Sequence, residues 1–157
     1  MSFSKTGLVQ EEALKKRYGS LSCPVQGPWN DVIGTIVSHR SVRSYKPNAL
    51  PDSTLETLTA AAQSAATSSN MQVWSLIAIT DQKKKIELAK IAGNQKHIEQ
   101  CPLFLVWLAD LARNERLGNE EGVEMVVTPY VETFLVSAID AALAAQNAVI
   151  AAESLGL

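Results

Sequence analysis

His39-Arg40-Ser41-Val42-Arg43 carries more binding chemistry than any other stretch of the chain. Arg40 and Arg43 each present a planar fork of donors that matches a phosphate. Ser41 adds a hydroxyl and His39 a ring nitrogen. The whole chain holds 14 basic and 16 acidic residues, a formal net charge of -2, so this basic cluster is local. It suits one small anionic ligand and argues against a long nucleic-acid backbone. The same residues have a plainer use at the end of a surface helix, where cationic side chains complement the dipole. Spacing alone leaves both readings open.

Two further stretches offer polar groups. Thr67-Ser68-Ser69-Asn70-Met71-Gln72 is a run of hydroxyls and amides that can read the polar edge of a heterocycle or cap its own loop. Gly93-Asn94-Gln95-Lys96-His97 reads as a helix end and turn, with Lys96 and His97 adding positive charge. His39 and His97 have no carboxylate or cysteine partner at metal-ligand spacing, so no metal is expected. Cys23 and Cys101 form neither a metal nor a disulfide pattern. Cys101, beside Pro102 at the start of an apolar run, reads as a packed thiol. There is no Gly-x-Gly-x-x-Gly dinucleotide loop and no Gly-rich Lys-Ser/Thr phosphate loop.

The elements that must position these groups follow from periodicity. Residues 9–18 suit a short helix, and 19–28 suit a loop broken by Pro24, Gly27 and Pro28. Asn30 or Asp31 can cap a helix carrying Val32, Ile33, Ile36 and Val37, which delivers the 39–43 cluster. Residues 42–45 are expected as a short strand. Asp52 or Ser53 opens a helix with Leu55, Leu58, Ala62 and Ala65 on one side. Residues 73–80 and 103–108 read as buried strands. A Lys-rich helix over 83–91 separates them, its three successive lysines expected on a solvated face. Residues 95–100 form another short helix and 111–124 a charged loop. From Pro129 to about Leu155 a long helix is expected, with Val131, Phe134, Leu135, Ala138, Ala142, Ala145, Val149 and Ala152 as its apolar face. Its many alanines favour a packed position in the core or between two subunits. Asp140 within it is either paired in the core or set at a subunit boundary.

Alternating helices with buried strands give an α/β or α+β domain with few visible strands. The length of 157 residues suits one domain, with 46% hydrophobic residues. The most apolar stretch, 134–150, is interrupted by Asp140, Gln146 and Asn147 and reads as a buried helix. No signal segment, membrane partner or nucleic-acid partner is expected, and the setting is expected to be cytoplasmic.

In order, His39-Arg40-Ser41-Val42-Arg43, Ala66-Thr67-Ser68-Ser69-Asn70-Met71-Gln72, Gly93-Asn94-Gln95-Lys96-His97, Ala145-Gln146-Asn147 and Ala151-Ala152-Glu153-Ser154-Leu155-Gly156-Leu157 resemble the FMN-dependent nitroreductases. Gln95-Lys96-His97 and the 103–110 strand point to the oxygen-insensitive NADPH nitroreductases and NADPH–flavin oxidoreductases. The resemblance covers residues 31–157 and leaves 1–30 as an extension. It implies an α+β fold of three layers, α/β/α, with a mixed sheet flanked by helices, and a homodimer with FMN at the interface. It assigns His39, Arg40, Ser41 and Arg43 to the phosphate and pyrimidine side of FMN. Thr67, Ser68 and Ser69 would contact FMN from the other subunit, and Gln95 and His97 would also touch the flavin. Asn70 would shape the substrate side. No protein group is catalytic in this scheme, because the chemistry is the cofactor's. NADPH or NADH would reduce the flavin, and a nitroaromatic, quinone or flavin would reoxidise it by ping-pong hydride transfer through N5.

Members of the family are longer. Past the segment matching 155–157 they continue into a Gly-rich strand, a phosphate-binding Lys/Arg pair and a C-terminal arm. The comparison therefore implies a domain incomplete at its C-terminus, with weak FMN retention or none. Two alternatives follow: a truncated, non-catalytic dimerising module that has lost flavin binding, or a basic pocket for another phosphate ligand.

Overall fold

The computed structural model describes residues 10–21 and 27–157. The expected start of the first helix at Val9, the centre of the 19–28 loop and Cys23 lie outside the described residues. The chain divides into two compact units, Met1–Ser41 with Ile150–Leu157, and Val42–Val149.

In the first unit α1 (Gln10–Tyr18) buries Ala13 and Leu14. Glu11 and Glu12 sit in its first turn and Lys15, Lys16 and Arg17 in its last, which matches the dipole at both ends. α2 (Asp31–Ser38) starts where the Asn30 side chain accepts from Ile33 N–H at 3.0 Å, the expected cap. The unit also contains the last turn of the long helix. There Leu157 N–H reaches Ala152 O at 3.1 Å and Gly156 N–H reaches Glu153 O at 3.0 Å, with Gly156 at φ +77°. That pairing of the last carbonyls requires a left-handed residue, which glycine supplies without strain.

The second unit contains α3 (Thr54–Gln63), β1 (Trp74–Ile79), α4 (Gln82–Ile91), α5 (Lys96–Gln100), β2 (Phe104–Ala109), α6 (Leu111–Glu120) and most of α7 (Val131–Ser154). β1 and β2 pair antiparallel, with Trp74 opposite Ala109 and Ile79 opposite Phe104. Trp74 and Trp107, diagonal across this ladder, pack with ring centroids 5.5 Å apart. Leu58, Ala62, Val73, Ala89, Ile98, Cys101, Ala141, Ala144 and Ala148 are buried. The class is α+β, as the sequence implies.

Several expectations change. Residues 42–45 form no strand. The strands are less covered than their apolar composition implies, and Ile77 and Leu108 are exposed. The expected loop at 111–124 is mostly the helix α6. Asp110 caps it, accepting from Arg113 N–H at 3.1 Å. Gly118, part of that expected loop, lies inside α6 where the returning chain packs. A Cβ there would lie 2.7 Å from Val123 O and 2.8 Å from Met125 Cγ. Lys85 is not on the solvated face. It is buried on α4, and its Nζ donates to Cys101 O at 2.6 Å.

The largest change is on α7. Its buried side is Thr133, Ser137, Asp140, Ala141, Ala144 and Ala148. Thr133 and Ser137 donate their hydroxyls to Val127 O and Phe134 O, at 2.5 and 2.8 Å, so both are satisfied inside the unit. The apolar face expected to be packed is the opposite one. Val131, Phe134, Leu135 and Val149 are exposed, as are Ile139 and Leu143 beside them. α7 is long and apolar enough to cross a membrane by length and composition alone. Its buried polar side, tied to the protein by Asp140 and Asn147, marks it as a packed helix with one apolar face uncovered.

Candidate functional site

His39 ends α2: its backbone leaves the helix at φ -48° and ψ 137°. Its Nδ1 lies 2.7 Å from Glu153 Oε1, so the ring is oriented by the last turn of α7. Arg40 folds back onto the end of α2. One of its terminal nitrogens donates to His39 O at 2.7 Å and more weakly to Val37 O and Ser38 O, and the other reaches Lys16 O at 3.3 Å. Arg17 also donates to His39 O. Arg40 thus takes the helix-end use that the sequence left open, satisfying carbonyls that have no intrahelical partner. Ser41 is exposed and makes no side-chain hydrogen bond to a described residue.

The remaining predicted residues belong to the second unit. Arg43 is exposed and pairs with no described residue, leaving its fork open to a ligand. Residues 67–72 form a tight polar loop. Thr67 precedes a 3-10 turn at Ser68–Asn70, and Ser69, Asn70 and Gln72 take φ values of 50°, 54° and 51°. Non-glycine residues held there cost about 1–3 kcal/mol each and persist where their surroundings over-determine them. The holding groups come from elsewhere in the unit. Asp140 Oδ1 accepts from Ser68 N–H at 3.2 Å, which settles Asp140 as a core residue, 1% exposed. Asn114 Nδ2 donates to Met71 O at 2.9 Å, and Arg113 donates to Gln72 O and, at 3.3 Å, to Trp74 O. Gln72 donates to Asn70 Oδ1 at 3.0 Å. The hydroxyls of Thr67, Ser68 and Ser69 have no partner among the described residues.

Gln95 and His97 sit at the start of α5, after a turn in which Gly93 and Asn94 take φ values of 79° and 61°. Gln95 and Lys96 are exposed and His97 is half-buried, and none of the three side chains has a described partner. Cys101 is packed, as expected. Its thiol donates to Ile98 O, and burial pushes its pKa up despite the nearby Lys85 charge. A raised pKa disfavours the reactive thiolate.

The predicted residues therefore divide. His39, Arg40 and Asn70 are engaged within the fold. Ser41, Arg43, Thr67, Ser68, Ser69, Gln95 and His97 keep side-chain donors or acceptors open. Sequence reasoning missed Glu153, Asp110, Arg113 and Asn114, which orient the others. Asp110 was the findable one, as an acidic residue at the end of a strand just before a helix.

Asp110 gives a direct test of how the loop support is built. Its carboxyl is held below the usual aspartate value, chiefly by the Ser75 hydroxyl, with Arg113 N–H and the Arg113 and Arg116 charges adding to that against a burial cost. The ionised form is the one that stabilises the fold. The contribution is complete above the ordinary aspartate value of about 3.9 and is lost as pH falls through the lowered one. Asp110→Ala is expected to lose about 1 kcal/mol at neutral pH, with a shallower fall in stability below about pH 4 than the parent shows. Urea unfolding at both pH values checks it.

A nitroreductase family model matches residues 36–157. The chain is 46% identical over 129 residues to an FMN reductase (NADPH) of Bacillus subtilis, covering 82% of this chain and 52% of that protein. It is 37% identical over 128 residues to an NADPH-flavin oxidoreductase of Vibrio harveyi, covering 82% and 51%. Among solved structures, the NfrA1 nitroreductase from B. subtilis superposes with a TM-score of 0.76 at 46% identity, over 80% of this chain and 51% of that one. The chain spans about half the length of the relatives it matches. With the motif order, the fold and the family match in agreement, this chain belongs to the nitroreductase family.

Proposed function

We propose that the protein is an FMN-dependent NAD(P)H oxidoreductase that works as a cytoplasmic homodimer. The observation that carries this reading is the set of side chains left open at the family's motif positions. The Arg43 fork, the hydroxyls of Ser41, Thr67, Ser68 and Ser69, the Gln95 amide and the Lys96 ammonium make no hydrogen bond to a described residue. Such a set suits a ligand that has both a phosphate and a carbonyl-bearing ring, and FMN has both. The names of the similar proteins, an FMN reductase (NADPH) and an NADPH-flavin oxidoreductase, support the same choice.

When bound, FMN would supply the redox chemistry, a two-electron, ping-pong exchange of hydride at N5 between NAD(P)H and a nitroaromatic, quinone or free flavin. The chain's own groups bind and orient. Arg43 and Ser41 serve the phosphate and pyrimidine side, with His39 held in place by Glu153. Lys96 and Arg43 place positive charge where the reduced ring carries negative charge. Thr67, Ser68 and Ser69 contribute from the partner subunit, and Asn70 borders the substrate side. The uncovered apolar face of α7 supplies the surface for self-association.

The purified protein is expected to be yellow, absorbing at about 450 nm, and to bleach on anaerobic addition of NADPH. A colourless dimer that ignores added FMN would refute the reading and leave a dimerising module without flavin.

A further inference from the structure

We propose that Arg113, Asn114 and Asp140 are positioning residues that hold residues 67–72 in a shape their own backbone disfavours. Through that hold, Arg113 and Asn114 set the oxidant preference of the flavin site. The second statement rests on the functional reading above, in which Asn70 borders the substrate; the first stands on geometry alone.

Five non-glycine residues among those described have positive φ, and three of them fall at 69, 70 and 72. Residues of this kind relax unless neighbouring groups restrain them. The restraint is specific. One end of the loop is fixed by Asp140 at Ser68 N–H. The other is fixed by Asn114 at Met71 O and by Arg113 at Gln72 O and Trp74 O. These bonds go to backbone atoms of the loop and, at Trp74 O, of the strand that follows it, so they set the loop's path and leave the hydroxyls of Thr67, Ser68 and Ser69 open.

Two of the three restraining side chains are poor choices for stability alone. Asp140 Oδ2 and Asn114 Oδ1 are buried and have no hydrogen-bond partner among the described residues. An orphaned buried oxygen is a standing penalty that an apolar side chain would avoid. Both orphans belong to residues whose other polar atom grips the same loop. A loop kept strained by polar groups that carry their own penalty is what a binding surface requires and a plain connection does not.

The test compares Asn114→Ala, Asn114→Ala with Gln72→Gly, and the parent. Gln72 is a strained position outside the proposed flavin contacts, and glycine adopts its backbone freely. Amide hydrogen exchange over residues 67–74 in Asn114→Ala is expected to speed up about fivefold or more, the effect of one lost hydrogen bond. The ratio of kcat/KM for a nitroaromatic against a quinone is expected to shift by a similar factor, through KM more than kcat. The added Gln72→Gly restores the exchange towards the parent, which a generally destabilised fold would not show; the oxidant ratio is read in Asn114→Ala alone, because Gln72 also donates to Asn70 Oδ1. Unchanged exchange overturns the hold itself, whatever the flavin does. Faster exchange with an unchanged oxidant ratio overturns the selectivity claim. A parent protein that binds no FMN overturns the functional reading and the selectivity claim with it, while the exchange measurement still decides the hold.

Discussion

Arg43→Ala is expected to weaken the proposed FMN binding by about tenfold or more, read by titration of the apoprotein with FMN and flavin fluorescence. Hydrogen bonds to charged groups contribute roughly 1.5–3 kcal/mol, and 1.4 kcal/mol is a factor of ten. The size of the effect comes from what surrounds the residue. Arg40, its neighbour in the motif, is engaged with the carbonyls that end α2 and with Lys16 O. Arg43 has no such engagement among the described residues, which leaves its fork for an incoming phosphate. The two arginines should therefore behave differently. Arg40→Ala is expected to lower thermal stability through the lost helix-end bonds, and Arg43→Ala to leave stability within about 0.5 kcal/mol because Arg43 is exposed and makes no hydrogen bond or ion pair with a described residue. Arg43→Lys should recover only part of the affinity, since an ammonium cannot bind a phosphate in a bidentate way. Unchanged FMN affinity in Arg43→Ala would remove this residue from the phosphate site.

What the sequence showed and what it hid follow a physical line. Local devices were legible. Asn30 caps the helix that follows it within three residues, so composition and spacing reveal it. The motif order was legible too, because it is a property of the chain and not of its packing. Features that depend on distant chain were not. Lys85 looks like its two solvated neighbours, and only the position of Cys101 O explains its burial. Gly118 looks like a loop residue until the return of 123–125 shows why it lacks a side chain. α7 was legible as long and apolar, but periodicity cannot say which side finds a partner within the chain. Small and hydroxyl residues were buried because their polar atoms bond locally, and the larger apolar ones were left outside. At the site, residue types identified the open donors, whereas the roles of Glu153, Asp140, Arg113 and Asn114 needed three-dimensional proximity.

That exposed side of α7 yields the second large effect. Ile139→Glu is expected to convert the proposed homodimer to a monomer and to remove the proposed FMN binding with it. Ile139 is 56% exposed within one protomer, and Leu135 and Leu143, one turn to either side on the same face, are also exposed. A glutamate there remains solvated in an isolated protomer, so folding should change little. In a dimer that covers this face the same carboxylate would be buried without a partner, at a penalty of several kcal/mol, which lowers the association constant by about a thousandfold or more. FMN binding falls in step because Thr67, Ser68 and Ser69 are proposed to reach the flavin of the other subunit. Sedimentation velocity with a parallel FMN titration reads both. Val126→Glu, at a position just as exposed but outside α7, is the control and should remain dimeric. If Ile139→Glu keeps the parent's mass, this face of α7 is not the interface; if it becomes monomeric and still binds FMN with the parent's affinity, the flavin site is complete within one chain.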